Sequence, residues 1–458
     1  MTAQPDQPAR HGRRRWLRIL NITTVTLAIA FAGYRYALRL RTQVRMAEVH
    51  RQGYPVTSSE LETWYPKTPP GENAADVFVE AFHRYASWET NKLERLPVAG
   101  KAQLPPHGEL LTRETRELVT EYLTANHAAL DLLHKGAAIR HSRYPVDFRT
   151  VKYMLLKAPH LNPLRQGARL LCLEAVMRAE ENNPSLAADS VASGFGLADS
   201  LATEPYLISQ LVRGACYHYA CLGLERTLNR VVLTDKDLAG LMTALPQDDC
   251  AQAMRLGLIA ERSMTLDVLS TLGPGIHDFQ DYVVSGKPME WGTGYQVSGY
   301  YLFLVYYTTG FTDQDMLCYM DLMEAYIRIC ERPAEERLRA IQPMRARNES
   351  LPHRCFLSRA LTGDLGFAII KNLRLVAEIR VARGALDVEQ FRLSTGRLPD
   401  NLVEISHTLL NAIPLDPFDA HPLRYKRLAK GYVVYSVGDD GRDDGGDEKK
   451  DITFTVER

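Results

Sequence analysis

The densest run of chemically capable side chains in this 458-residue chain lies near its C-terminus. Seven carboxylates fall between Asp439 and Asp451, spaced by Gly438, Gly441, Gly445 and Gly446. Glycine permits tight turns, and several hard oxygens on one short loop suit calcium, which takes six to eight of them. One calcium ion in this loop is therefore an expectation, with a solvated acidic turn as the alternative. An EF-hand loop read from Asp440 fits in part. Arg442 stands at a ligand position, however, and strands flank the loop in place of helices.

Other candidate constellations are weaker. His127, His134 and His141 recur every seven residues. On one helix, neighbours would lie about 10 Å apart, too far to share a metal ion. They read as surface or half-buried histidines. Glu80-x-x-His83 and Glu404-x-x-His407 each match half of a carboxylate-bridged di-iron pattern, which is short enough to arise by chance. Cys216 and His218 would face different directions on a helix. The chain has no GxSxG, HExxH, Walker loop or GxGxxG after a strand. No catalytic residue is assigned. The seven cysteines form no CxxC pair and sit in apolar helical contexts, as buried free thiols do.

The elements that must carry these residues are mostly helices. Lys+Arg and Asp+Glu balance at 55 each, which argues against a broad nucleic-acid footprint. Residues 19–34 carry no charge and are flanked by Arg13, Arg14, Arg15 and Arg18 before and by Arg35, Arg39, Arg41 and Arg45 after. Sixteen helical residues span roughly 24 Å, against about 30 Å of hydrocarbon. Snorkelling by Arg18 and Arg35, with Trp16, Tyr34 and Tyr36 at the interfaces, makes one crossing workable. A signal peptide cleaved near residues 30–32 is the alternative. The denser arginines before the segment favour a cytoplasmic N-terminus and an external body.

Beyond a proline-containing link over residues 42–71, helical spacing recurs. Asn73 suits an N-cap, and Leu164, Ala168, Leu171, Ala175 and Ala179 form a stripe with Arg165, Arg169 and Glu174 off it. Asn182-Asn183-Pro184 stops that helix, with Ser185 expected to cap the next. Residues 273–299 hold glycines and aromatics and read as a packed loop or a binding lid. Residues 300–307 are apolar but too short to span a bilayer, and are expected to fill the core.

Alternation returns at residues 432–437 and 452–456. Upstream come Gly396-Arg397-Leu398-Pro399 and Pro414-Leu415-Asp416-Pro417. This order resembles the C-terminal half of the major pseudopilin of type II secretion systems, over residues 377–452. That family has a Gly-x-x-Pro turn, a Pro-x-Asp-Pro segment, a short β-sheet and a Ser-x-Gly-x-Asp-Gly loop ending in Asp-Ile. The resemblance implies Asp440 and Asp451 as calcium ligands, joined by the Val437 carbonyl and Asp447. The cleavage signature of that family is missing, so a borrowed domain is expected in preference to a pilus subunit. The remainder resembles uncharacterised membrane-anchored proteins of planctomycete-type bacteria.

The expected architecture is mainly α: an irregular antiparallel helical array, repeat-like in places, with an N-terminal transmembrane helix and a small C-terminal α+β pseudopilin-like unit. Its divisions are a tail and anchor (1–45), a linker (46–72), a helical domain (73–376) and the C-terminal unit (377–458). The expected role is a non-enzymatic binding or structural one, in the bacterial inner membrane with the body outside the cytoplasm. The partners would be membrane lipid and envelope or secretion-system proteins. A component of a pseudopilus-type assembly and an envelope hydrolase are the alternatives.

Overall fold

The computed structural model describes residues 9–150, 157–246, 250–271, 305–363, 365–406 and 413–458. Residues 273–299, most of 300–307, and His407 lie outside the described residues. The first helices are α1 (Ala9–Arg51), α2 (Ser58–Trp64), α3 (Ala74–His83), α4 (Thr90–Glu94), α5 (Arg113–Ala125) and α6 (His127–Ala137). Next come α7 (Leu161–Glu180), α8 (Pro184–Asp199), α9 (Leu207–Leu228), α10 (Asp235–Ala244) and α11 (Ala251–Thr271). The last are α12 (Phe311–Cys330), α13 (Ala334–Glu349), α14 (Phe356–Thr362), α15 (Leu365–Thr395) and α16 (Leu402–Ser406). Strands β1 (Arg424–Leu428), β2 (Gly431–Ser436) and β3 (Ile452–Val456) close the chain.

Helix α1 has 43 residues and is about 65 Å long. Among the described side chains, residues 15–33 are exposed: Trp16, Ile19, Ile22, Leu27 and Ile29 are all more than half exposed. The Thr24 and Thr26 hydroxyls donate to the carbonyls of Leu20 and Ile22, 2.8 Å away, so these two polar groups are satisfied within the helix. Among the described residues, α1 is the one helix long and apolar enough to cross a membrane.

The second half of α1 is fastened to the body. Leu38, Thr42 and Val49 are buried. Arg35 pairs with Asp313 at 3.0 Å and Arg45 with Asp321 at 3.3 Å, both on α12. Arg35 is thus committed to an ion pair, not free to snorkel. The stretch expected as a link is largely helical: α1 runs to Arg51, and α2 follows behind the Thr57 N-cap, whose hydroxyl accepts from Glu60 N. Val49 and Val56 join the second of two hydrophobic cores, and this buried face keeps the segment ordered.

Helices α7, α8 and α9 pack side by side in the larger core. Asn182 closes the α7–α8 turn at φ +58°, a conformation asparagine tolerates, and Pro184 opens α8. The N-cap of α8 is Asn183, with no side-chain cap bond, in place of the expected Ser185. Asn73 does cap α3: its Oδ1 accepts from Ala75 N, and from Arg143 N at 2.8 Å. Six of the seven cysteines are buried, Cys318 is half-buried, and all are free thiols. Within residues 300–307, Tyr306 is buried with its hydroxyl on Asp315, whereas Val305 is exposed.

Helix α15 bridges the two cores: Leu365, Ala368 and Ile369 lie in the second, and Leu373 to Phe391 in the first. It runs unbroken through residues 376 and 377. The sheet is antiparallel in the order β1-β2-β3, with Arg424 opposite Tyr435 and Ser436 opposite Ile452. It lies on α15, where the Tyr432 hydroxyl meets the Ala385 carbonyl at 3.2 Å and Glu389 at 3.1 Å. Beside β3, Asn229 donates to the Thr455 carbonyl and accepts from Glu457 N, both at 2.7 Å, while Glu225 accepts from Thr455 N at 2.6 Å. Side chains at the end of α9 therefore occupy the backbone groups that a fourth strand would take.

Candidate functional sites

The acidic loop hangs from the β2–β3 hairpin. Its base is fixed by Asp416, fully buried, which accepts from Phe418 N, Ser436 Oγ and Val437 N at 2.9 Å each and from Arg424 at 3.1 Å. Four glycines with φ between +66° and +83° carry the turns. Four of the seven acids have cationic or histidine partners. Asp439 meets Arg374, Asp443 meets Arg424, Asp444 meets Lys450, and Glu448 meets His107.

Asp440, Asp447 and Asp451 are left bonded to their own loop. Asp440 accepts from Arg442 N and Asp447 from Lys449 N, each at 3.0 Å. Asp451 is buried, with one oxygen accepting from Gly446 N at 2.8 Å and Oδ1 bonded to nothing. Asp447 and Asp451 are adjacent through the Asp451 N to Asp447 carbonyl bond of 2.8 Å. Asp440 and Asp447 are exposed on the loop, and Val437 is buried at its start. Among the described residues, no three His, Cys, Asp or Glu side chains converge as a ready metal cage. Among the described residues, the carboxylates singled out by resemblance are the three of the loop without an ion pair, and Asp451 carries a buried, unmatched oxygen.

A second constellation was not visible in the sequence. His134 on α6, Glu174 on α7, and Ser190 and Ser193 on α8 meet in an open cleft of about 730 Å³. His134 Nδ1 lies 2.7 Å from Ser193 Oγ, and Nε2 lies 2.7 Å from Glu174 Oε2. Ser190 Oγ is 3.0 Å from the same carboxylate oxygen, and Arg178 is 3.7 Å from the other. Burial alone would lower the His134 pKa and raise that of Glu174. Their mutual bond and charge outweigh it, holding His134 above its ordinary 6.5 and Glu174 below its ordinary 4.5. Glu174 is therefore a buried, partnered carboxylate and not a charge on the outer face of α7.

The close approach that builds this cleft depends on Gly196. A Cβ there would fall 2.7 Å from the Ala137 carbonyl, so glycine lets α8 sit against α6. The other two histidines of the seven-residue series take no part. His127 starts α6, with its ring on the Thr124 carbonyl, and His141 lies beyond the end of α6. Glu80 pairs with Arg84, Glu404 with Arg397, and His218 with Glu378. Cys216 is fully buried, and burial pushes its thiol up to about 12. No protein-family model, curated protein or solved structure matches the chain.

Proposed function

We propose that this chain is a single-pass protein of a bacterial inner membrane that holds a helical body against the outer face of the bilayer and binds envelope proteins through it. One observation carries the reading. Helix α1 is bare and apolar over residues 19–33, yet ion-paired and buried against α12 over its second half. A bare apolar stretch belongs in lipid, and a fastened half leaves no free tether between membrane and body. The body is then held at a fixed height and orientation, which suits a scaffold better than a roaming enzyme. Alkaline carbonate extraction of membranes tests the anchor: the full chain stays in the pellet, and release into the supernatant removes the reading.

Calcium belongs to the same proposal. Asp440, Asp447 and Asp451, with the Val437 carbonyl, are the oxygens left to hold it, and an extracytoplasmic body would meet free calcium. A second reading, kinship with a pseudopilus-type assembly, draws support from the three-stranded sheet lying on the C-terminal half of a long helix. Copurification with a secretion ATPase or secretin would favour it.

A further inference from the structure

The cleft between α6, α7 and α8 goes beyond a binding scaffold. We propose that Ser193, His134 and Glu174 form an acyl-transfer site that hydrolyses small uncharged carboxylic esters. The order of groups is nucleophile, base and orienting acid. Ser193 Oγ lies 2.7 Å from an imidazole nitrogen, and the other imidazole nitrogen lies 2.7 Å from a buried carboxylate. The carboxylate fixes the tautomer: Nε2 keeps its proton toward Glu174, and Nδ1 presents its lone pair to the serine hydroxyl. Ser190 and Arg178 hold Glu174 in turn. Ser193 and His134 are half-buried and line an open cleft, so a substrate carbon can reach Oγ.

The chemistry balances with water as the one co-reactant. Oγ attacks the acyl carbon while its proton moves to His134 Nδ1. The C–O bond to the leaving alcohol then breaks, and the alcohol carries that proton away. Water attacks the acyl-serine and gives a proton to Nδ1. The acid leaves, and the proton returns to Oγ. Arg178 lines the same cleft, where its charge flanks Glu174 on the far side of the imidazole from Ser193. Ala137, Ala138, Ala192 and Leu186 give small apolar walls, which fit a short acyl chain. Asp189 and Asp199 on the same rim disfavour anionic substrates. Ser193 and His134 would be catalytic residues, and Glu174 a positioning residue.

The test treats the full-length protein in detergent with a fluorophosphonate probe and with p-nitrophenyl acetate. The expected result is one phosphonylated residue, Ser193, formed as the P–F bond breaks and fluoride leaves. Labelling and ester hydrolysis should rise with pH through a value above 6.5, as His134 loses its proton. His134→Gln should slow labelling about a hundredfold or more. Glu174→Gln should move the pH midpoint down, a shift that a merely structural role would not produce. Ser193→Ala should abolish both readouts, and Ser193→Cys should retain alkylation by iodoacetamide if the fold is intact. An unlabelled Ser193 in wild-type protein that melts cooperatively overturns the proposal. So does ester hydrolysis that survives in Ser193→Ala.

Discussion

Asp451 is the residue on which the calcium proposal turns. Leaving one oxygen of a buried carboxylate unmatched costs free energy that a bound cation would recover. Calorimetric titration of the full chain in detergent should show binding of one calcium ion, with the melting temperature rising at millimolar calcium. A hundredfold excess over Kd would add about 2.7 kcal/mol. Asp440→Asn and Asp451→Asn should each abolish the heat, and absence of heat and of any melting shift in the wild type retires the site. The His134–Glu174 pair makes a separate prediction at this scale. The raised histidine contributes stability below 6.5 that is lost as pH climbs through its folded value. The depressed glutamate contributes stability above 4.5 that is lost as pH falls through its folded value. The melting-temperature gap between wild type and His134→Ala should therefore be widest between 4.5 and 6.5 and narrow on both sides. A gap that does not change with pH contradicts the pair. The acidic loop was legible because its carboxylates are contiguous in sequence. The cleft was not, because His134 stands 40 residues from Glu174 and 59 from Ser193, with no local pattern to join them.

Among the elements, helix existence followed the apolar spacing, while a capping-type residue marked the helix start in some places and misled in another. Asn73 caps α3 as its type suggests, and Thr234 and Asp237 form a capping box at α10. Ser185 misled because Asn182 at positive φ and Pro184 had already set the start of α8 two residues earlier. The segment after residue 42 read as a link because its prolines lie at its far end. Its burial against α12 and the second core is a long-range fact with no local signal. The edge of β3 was equally hidden, since Asn229 lies 226 residues from Thr455. Asn229→Ala would remove the partner of the buried Thr455 carbonyl and of the part-buried Glu457 N–H. Urea unfolding should show a loss of about 1–3 kcal/mol, and an unchanged midpoint would mean that water or a shifted strand replaces the contact.

At the scale of the whole molecule, two cores share α15, and helix α1, long and apolar enough to cross a membrane, is continuous with the second core. The body should accordingly report its side of the membrane without ambiguity, because no free tether separates it from the span. The most direct test fuses, after Arg458, a phosphatase that is active only outside the cytoplasm, and in parallel a reporter active only inside it. The phosphatase should be active and the cytoplasmic reporter silent. An active cytoplasmic reporter with a silent phosphatase would place the body inside the cell and contradict the proposed topology, and would leave the acidic loop where free calcium is scarce.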